Sequence, residues 1–200
     1  MEAAALAEPA SVCLHAAKRA GELRGKSVLI VGAGPIGLIT MMVARMKGAA
    51  SLTIADIAEA PLAFASKLGA QQTINVKNGD QPLRDAAAKR PFDIAFEASG
   101  APAGLASAIH AVRRGGTLVQ IGSLPAGAVP VPVNQIMAKE IDMRGSFRFG
   151  KVFEEAVDAI VSRRIDVMSL ISSRHRLGEA KEALALSFDR SRSMKVVITA

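Results

Sequence analysis

Residues 27–47, SVLIVGAGPIGLITMMVARMK, decide the fold of this chain. Their first part, residues 28–31, is apolar at every position, which is typical of a parallel strand buried on both faces. The apolar run breaks at the glycines of residues 32–37 and then resumes with the spacing of a helix. Pro35 suits the first turn of that helix, because its missing N–H would have no partner within the helix there. The stretch therefore predicts a strand, a tight turn and a helix.

The turn itself, GAGPIG, has the glycine spacing of a dinucleotide-binding motif. Gly32 is expected to make the turn, Gly34 to let the phosphates of a ligand approach the backbone, and Gly37 to let the helix lie close to the strand. The free N–H groups of the first helical turn, with a helix dipole of roughly half a charge, favour an anion such as a pyrophosphate. The predicted cofactor-binding residues of this turn are Gly32, Gly34, Pro35, Ile36 and Gly37.

Asp56 supports this interpretation, because it ends the next apolar segment, 19 positions after Gly37. A carboxylate there can accept hydrogen bonds from both hydroxyls of an adenosine ribose, and it repels the additional phosphate of NADP. The alternative is an ordinary glycine turn, with Asp56 capping the following helix. Strand, glycines, helix, strand and acid all occur in the required order, so we interpret the stretch as an NAD site that includes Asp56.

Composition limits the class of protein. The chain has 200 residues, enough for one α/β domain with a substantial core, and is 50% hydrophobic. No apolar run approaches the roughly 20 residues that span a bilayer, and the start lacks the pattern of a secretory leader, so we expect a soluble, cytoplasmic protein without a membrane partner. The single cysteine, Cys13, excludes an internal disulfide and a cysteine cluster for metal, and is predicted to be a buried helix residue.

The net charge of +7 raises nucleic acid as a partner. However, the basic residues are scattered as short pairs, without aromatic side chains between them to stack bases, so we expect no nucleic-acid partner. A solvated basic face, or one that meets an acidic surface, explains these residues equally well.

Strands and helices alternate along the rest of the chain, which predicts a parallel sheet wound on both sides. The predicted fold class is α/β, a doubly wound Rossmann sheet of about six strands in the order 3-2-1-4-5-6. Residues 113–116 are predicted to form a turn before the fifth strand. Ligands of such sheets bind beyond the carboxyl ends of the strands, where residues 97–100 and 121–123 join the glycine turn. The predicted strands are residues 28–31, 52–55, 72–76, 92–98, 117–121 and 141–147.

With these pieces in place, the chain resembles the medium-chain zinc-type alcohol and polyol dehydrogenases, in the branch of the sorbitol dehydrogenases. The similarity covers nearly all of the chain. It is carried by residues 7–37, by FEASG at 96–100, by GGTLVQIG at 115–122 and by KEIDMRGSFRF at 139–149. The combination of EPASVCLHA, GAGPIG and GSFRF is specific to this branch, whereas GAGPIG alone is not.

The resemblance implies hydride transfer between NAD and a secondary alcohol carbon of a polyol or sugar acid, with zinc as the Lewis acid that polarises the oxygen. By similarity, Glu8 faces the zinc, either as a ligand or through bound water. Arg148, the predicted catalytic residue, lines the substrate and nicotinamide pocket with Phe147, which is predicted to contact the cofactor. The positions that match those beside the nicotinamide are Ser99, Ile121 and Ser123. The residues alone leave Glu8 open as an acid favoured at a helix start, and Arg148 as a surface residue after a strand.

The chain departs from the family pattern in its metal ligands. In the family most zinc ligands, including a cysteine and a His-Glu pair, lie in a lobe before the stretch that begins here at Ala3, and this chain contains no such pair. Zinc takes about four ligands, so Glu8 alone is not expected to hold it. We therefore expect Met1 and Glu2 to be an artificial start, the chain to be the carboxyl-terminal part of a longer zinc enzyme, and the chain alone to be inactive. The alternative is a non-catalytic module that senses or binds NAD(H).

The resemblance also implies domains and partners. Copies are expected to pair as a homo-oligomer, a dimer or tetramer, through the edge strand at 141–147, and the last strand, 195–199, is expected to have lost its partner.

Pro61 stands where the sorbitol dehydrogenases carry an arginine near the ribose, so Asp56 is expected to select NAD without that help. The expected domains are a remnant of the catalytic domain with a linking helix (1–20), the NAD-binding Rossmann domain (21–147), and helices and a strand that pack on it and on the catalytic lobe (148–200).

Overall fold

The computed structural model describes residues 2–199. The strands of a large sheet are β1 (Ser27–Val31), β2 (Ser51–Asp56), β3 (Gln72–Asn75), β4 (Phe92–Glu97), β5 (Val112–Gln120) and β6 (Asp142–Gly145). The strands of a small sheet are β7 (Ile171–Arg176) and β8 (Lys195–Thr199). The helices are α1 (Ala7–Ala20), α2 (Pro35–Met46), α3 (Glu59–Lys67), α4 (Gln81–Lys89), α5 (Pro102–Ala111), α6 (Val133–Lys139), α7 (Phe153–Val161) and α8 (Ala180–Phe188).

The large sheet has the order β3-β2-β1-β4-β5-β6 with parallel neighbours throughout, which confirms the predicted doubly wound fold. The central strand, β1, is buried at every position. Val28 and Ile30 pack in the core that contains α1 and α2. Leu29 and Val31 point to the opposite face and pack with α4 and α5. Cys13 is buried in α1 as predicted, and burial raises the pKa of its thiol to about 12.

The predicted turn at residues 113–116 is wrong, because these residues lie inside β5. The register between β4 and β5 shifts there: Val112 lies opposite Phe92, and Thr117 lies opposite Ile94. The longer stretch of β5 therefore bulges out of the ladder and then returns to it. The two consecutive glycines in this stretch favour a turn locally, but the neighbouring strand continues the pairing.

Asp93 explains why the bulge is stable. Its carboxylate accepts a hydrogen bond from Nε of Arg113 at 2.7 Å, within the bulge. It also accepts hydrogen bonds from the backbone N–H and the hydroxyl of Ser27, each at 2.9 Å. Burial alone would raise the pKa of the Asp93 carboxyl, but the hydrogen bonds from Arg113 and Ser27 outweigh burial and lower the pKa to about 2.

The small sheet corrects the expectation for the last strand. β8 pairs in parallel with β7, so residues 195–199 do have a partner within the chain. β6 forms the edge of the large sheet and ends at Gly145, earlier than the predicted end at 147. Pairing of two copies along this edge stays a prediction. Within residues 2–199, no helix combines the length and the apolar character needed to cross a membrane.

Candidate functional site

The glycine turn between β1 and α2 lies at the carboxyl edge of the large sheet. Gly32 has a φ of +105°, and a Cβ on it would lie 2.7 Å from the backbone N of Ser99. A Cβ on Gly37 would lie only 1.8 Å from the carbonyl O of Gly32. By contrast, nothing lies within 4 Å of a Cβ built on Gly34, the residue before α2. Two of the glycines therefore allow close packing, and Gly34 faces open space that an anion could enter.

Asp56, the last residue of β2, is buried and faces the glycine turn. Its Oδ2 accepts a hydrogen bond from the N–H of Ala33 at 2.7 Å, and its Oδ1 accepts one from the N–H of Ala58 at 2.9 Å. Oδ2 also lies 3.0 Å from Nη2 of Arg190, in an ion pair with the chain that follows α8. Backbone groups on both sides therefore fix the position of the carboxylate.

A cavity of about 620 Å³ opens at this edge of the sheet. Its volume lies in the range of about 300–1,000 Å³ that is usual for small-molecule sites. Arg190 contributes to its wall together with residues of α4 and α5. The predicted site residues that line the cavity are Gly32, Gly34, Asp56 and Ser99. The sequence therefore predicts the side of the cavity formed by the glycine turn and the end of β2, but not the side formed by α4, α5 and Arg190.

The missed side contains a charged cluster of Asp80, Arg84 and His110. Nε of Arg84 lies 2.9 Å from Oδ1 of Asp80, and Nη2 of Arg84 lies 2.6 Å from Nδ1 of His110. The hydrogen bond from Arg84 lowers the pKa of Asp80, although burial opposes this change. Burial, and then the charge of Arg84, lower the pKa of His110 below its ordinary value. The i, i+4 spacing of Asp80 and Arg84 was visible in the sequence, but the contact with His110 depends on the packing of α4 against α5.

Glu97 ends β4 and is fully buried at the same edge. Its carboxylate accepts hydrogen bonds from the N–H of Ser99 at 2.7 Å, the N–H of Gly100 at 3.1 Å and Nε2 of Gln120 at 2.5 Å. A Cβ on Gly100 would lie 2.6 Å from the carbonyl O of Ser123, so the turns after β4 and β5 pack together. The sequence placed this segment at the edge, but it did not show that the Glu97 carboxylate holds the segment in shape.

The other predicted site residues do not line this cavity in the part of the chain that the structure describes. Residues 35–37 form the first turn of α2, and Ile121 is partly buried against the core. Phe147 is 79% exposed, and Cζ of Arg148 lies 5.4 Å from the centroid of its ring. Glu8 is exposed in the first turn of α1. Among the described residues, the structure therefore brings Gly32, Gly34, Asp56 and Ser99 to one cavity, whereas Phe147, also a predicted cofactor residue, Arg148 and Glu8 do not line it.

The described residues do not form a metal site. Between residues 2 and 199, no three His, Cys, Asp or Glu side chains come together in a group that could hold a metal ion. Zinc takes about four ligands, and Glu8 supplies a single exposed carboxylate. These residues by themselves therefore do not fit a zinc ion.

The strand order, the open glycine turn and the acid at the end of β2 define the class of Rossmann-type dinucleotide folds. Within that class, the zinc-binding dehydrogenase family matches residues 35–162. The chain belongs to this family, the zinc-type alcohol and polyol dehydrogenases, which confirms the resemblance. The match does not test the domain boundaries at residues 20 and 147, which stay predictions.

Two relatives show how much of the family the chain covers. L-idonate 5-dehydrogenase (NAD(P)(+)) of Escherichia coli strain K12 is 35% identical over 192 residues, which are 96% of this chain and 55% of that protein. Sorbitol dehydrogenase of Gallus gallus is 37% identical over 202 residues, which are 98% of this chain and 56% of that protein. The chain therefore spans little more than half the length of these relatives.

Solved structures agree with the sequence relatives. L-idonate 5-dehydrogenase from Escherichia coli has a TM-score of 0.90 at 34% identity, over 99% of this chain and 57% of that chain. A zinc-binding dehydrogenase from Sinorhizobium meliloti 1021, bound to NADP, has a TM-score of 0.90 at 28% identity, over 98% of this chain and 58% of that chain. The fold described above is thus the fold of the part of these zinc-type dehydrogenases that the chain covers.

Proposed function

We propose that this chain is the NAD-binding part of a zinc-type dehydrogenase that oxidises a secondary alcohol of a polyol or sugar acid. The observation that carries the proposal is the cavity at the carboxyl edge of the sheet, with Gly34 open on one side and the fixed carboxylate of Asp56 beside it. The names of the relatives, L-idonate 5-dehydrogenase and sorbitol dehydrogenase, support the substrate class. A nicotinamide cofactor is supported by the relative bound to NADP.

The residues around the cavity fit a dinucleotide. The N–H groups at the start of α2 suit a pyrophosphate, and Gly34 leaves room for it. A carboxylate has about four acceptor positions, and two backbone N–H groups and Arg190 take three of them in Asp56, so one stays open to a ribose hydroxyl. The residues that we assign to the nicotinamide side are Ser99, Ile121 and Ser123. Bound nicotinamide would supply the hydride acceptor, and the role of this chain is to bind and orient it.

The substrate and metal assignments rest on similarity. We assign Arg148 and Phe147 to the substrate pocket, because a guanidinium suits the hydroxyls of a polyol or the carboxylate of a sugar acid. We assign Glu8 to the neighbourhood of the zinc. The described residues do not fit a zinc ion alone, and the inactivity of the isolated chain stays a prediction.

Calorimetric titration of NAD into the protein tests the proposal. We expect saturable NAD binding, and Asp56→Ala should weaken it about tenfold or more and reduce the preference for NAD over NADP, since a charged acceptor of hydrogen bonds is lost. Asp56 also holds two backbone N–H groups, so Asp56→Asn, which keeps one side-chain oxygen, provides a milder second variant.

The matched control is Asp158→Ala, because the Asp158 side chain is 70% exposed in an ion pair on α7. This variant should bind NAD as the unmutated protein does. Absence of heat on adding NAD, with a folded protein by circular dichroism, would count against the proposal. Unchanged NAD affinity in both Asp56 variants would remove Asp56 from the site.

A further inference from the structure

Arg190 brings a second charge to the part of the cavity that contains Asp56. The two residues lie 134 positions apart in the sequence, yet Nη2 of Arg190 lies 3.0 Å from Oδ2 of Asp56. Both side chains line the same cavity. The Asp56 side chain is 4% exposed, whereas the Arg190 side chain is 55% exposed. The cavity therefore presents a buried carboxylate and an accessible guanidinium next to each other.

The backbone that carries Arg190 is held by its own hydrogen bonds. The Asp189 carboxylate accepts bonds from the N–H and the hydroxyl of Ser191, at 3.0 and 2.5 Å. The N–H groups of Arg192 and Ser193 donate to the carbonyl O of Asp189, at 3.1 and 2.9 Å. This turn fixes the base of the Arg190 side chain without help from Asp56. The guanidinium has five N–H donors, and its bond to Asp56 takes one of them.

We propose that Arg190 is a specificity-determining residue that lets the cavity accept the 2′-phosphate of NADP beside the free hydroxyls of NAD. The inference rests on the proposed function, dinucleotide binding in this cavity. A lone carboxylate at the end of β2 repels a 2′-phosphate. The guanidinium of Arg190 offsets that charge, and it can bind a phosphate through two parallel hydrogen bonds.

The balance between the two side chains then sets the cofactor preference. When NAD binds, the ribose hydroxyls donate to Asp56, and the exposed guanidinium turns toward solvent. When NADP binds, the guanidinium moves from the carboxylate to the phosphate. The chain therefore binds both cofactors, because Asp56 favours one and Arg190 favours the other.

A purely structural role for the ion pair makes a different prediction. A pair with one partner more than half exposed contributes little to stability, and the turn at residues 189–193 has hydrogen bonds of its own. If the pair only held the carboxyl-terminal segment on the sheet, its removal would change thermal stability and would affect both cofactors alike. The ratio of the two affinities therefore separates the roles.

The experiment is calorimetric titration of NAD and of NADP into the full chain and two variants. Arg190→Gln removes the charge but keeps a side chain that donates hydrogen bonds. Arg192→Gln is the matched control, since Arg192 is exposed two positions further on and, among the described residues, does not line the cavity. Arg190→Gln should weaken NADP about tenfold and change NAD less than about twofold, and Arg192→Gln should change both less than about twofold.

Each other outcome overturns the proposal in an identifiable way. Equal loss of both affinities in Arg190→Gln would assign Arg190 to a group that the two cofactors share, such as the pyrophosphate. Unchanged NADP affinity, or no NADP binding to the unmutated protein, would show that Arg190 does not accept the phosphate. If the folded unmutated protein bound neither cofactor, the proposed function would fail and take this inference with it. Repeating the titrations with adenosine 2′,5′-bisphosphate and 5′-AMP should reproduce the same ratio, because these fragments differ only in the 2′-phosphate.

Discussion

The sequence predicts that the glycine turn and the segment after β6, with Phe147 and Arg148, belong to one site. In the structure, contacts within the chain hold the side chains around the turn more firmly than those of this segment. Around the turn, Asp56 and Glu97 are buried, and their carboxylates accept hydrogen bonds from backbone N–H groups of the turns at this edge of the sheet. In the segment after β6, Phe147 is 79% exposed and Arg148 lies over the ring of this immediate neighbour. The sheet therefore determines the geometry of the turn. Sequence similarity points to residues in both regions, but only those around the glycine turn are held in place by several hydrogen bonds within the chain.

Gly37→Ala should give the largest effect and tests how rigid the turn is. The new Cβ would lie 1.8 Å from the carbonyl O of Gly32, so α2 must move away from β1. We expect a loss of about 3 kcal/mol in the free energy of unfolding, as for an overpacked core. Urea unfolding followed by circular dichroism measures this loss.

Gly34→Ala is the matched control for that variant. Its Cβ meets nothing within 4 Å, and its φ of −72° suits alanine, so stability should change by about 1 kcal/mol at most. NAD affinity should nevertheless fall, because the methyl group occupies the space in which we place the pyrophosphate. Equal stability losses in the two variants would contradict the division of roles between these glycines.

The regular features of the fold could be predicted because their causes are local. β1 and the glycine turn occupy one continuous stretch, and Asp56 follows at the spacing that one strand–helix–strand unit requires. The alternation of strands and helices then leaves few sheet orders, since parallel crossovers are almost always right-handed. Gly32, Gly34 and Asp56 consequently meet at one edge, as expected.

The features that sequence reasoning missed depend on residues distant in the chain. Arg190 reaches Asp56 across 134 positions, so no local pattern contains both partners. The local sequence of the β5 bulge predicts a turn, because the contact that stabilises the bulge, from Arg113 to Asp93, involves another strand. The pairing of β8 with β7 was missed for the same reason.

The exposure of Asp93 lies between that of the buried acids at the glycine turn and that of Phe147. Its side chain is 26% exposed, and that of its partner Arg113 is 41% exposed. Its pKa of about 2 in the folded protein lies below the ordinary value of 3.8, so the ionised carboxylate stabilises the fold above about pH 5. This stability is lost as pH falls from about 5 towards 2. After allowance for solvent screening, we expect Asp93→Asn to cost about 1–2 kcal/mol at pH 7 and much less near pH 2.

Urea unfolding at several pH values measures this effect, with Asp158→Asn as the control. Asp158 also pairs with an arginine, but its side chain is 70% exposed, so its substitution should cost less than about 1 kcal/mol at pH 7. A difference between Asp93→Asn and the unmutated protein that stayed constant with pH would show that the charge of Asp93 is not what holds the bulge.

Phe147→Ala should have the smallest effect and tests the exposed region directly. The residue is 79% exposed, so removal of its ring should change the free energy of unfolding by about 0.5 kcal/mol or less. The same substitution at Phe96, which is fully buried in β4, should cost about 3–5 kcal/mol. Urea unfolding of both variants at two protein concentrations makes the comparison. A loss above about 1 kcal/mol for Phe147→Ala that grew with protein concentration would show that the ring packs against a second copy of the chain. The difference in burial between the two regions would then hold for the single chain and not for the oligomer.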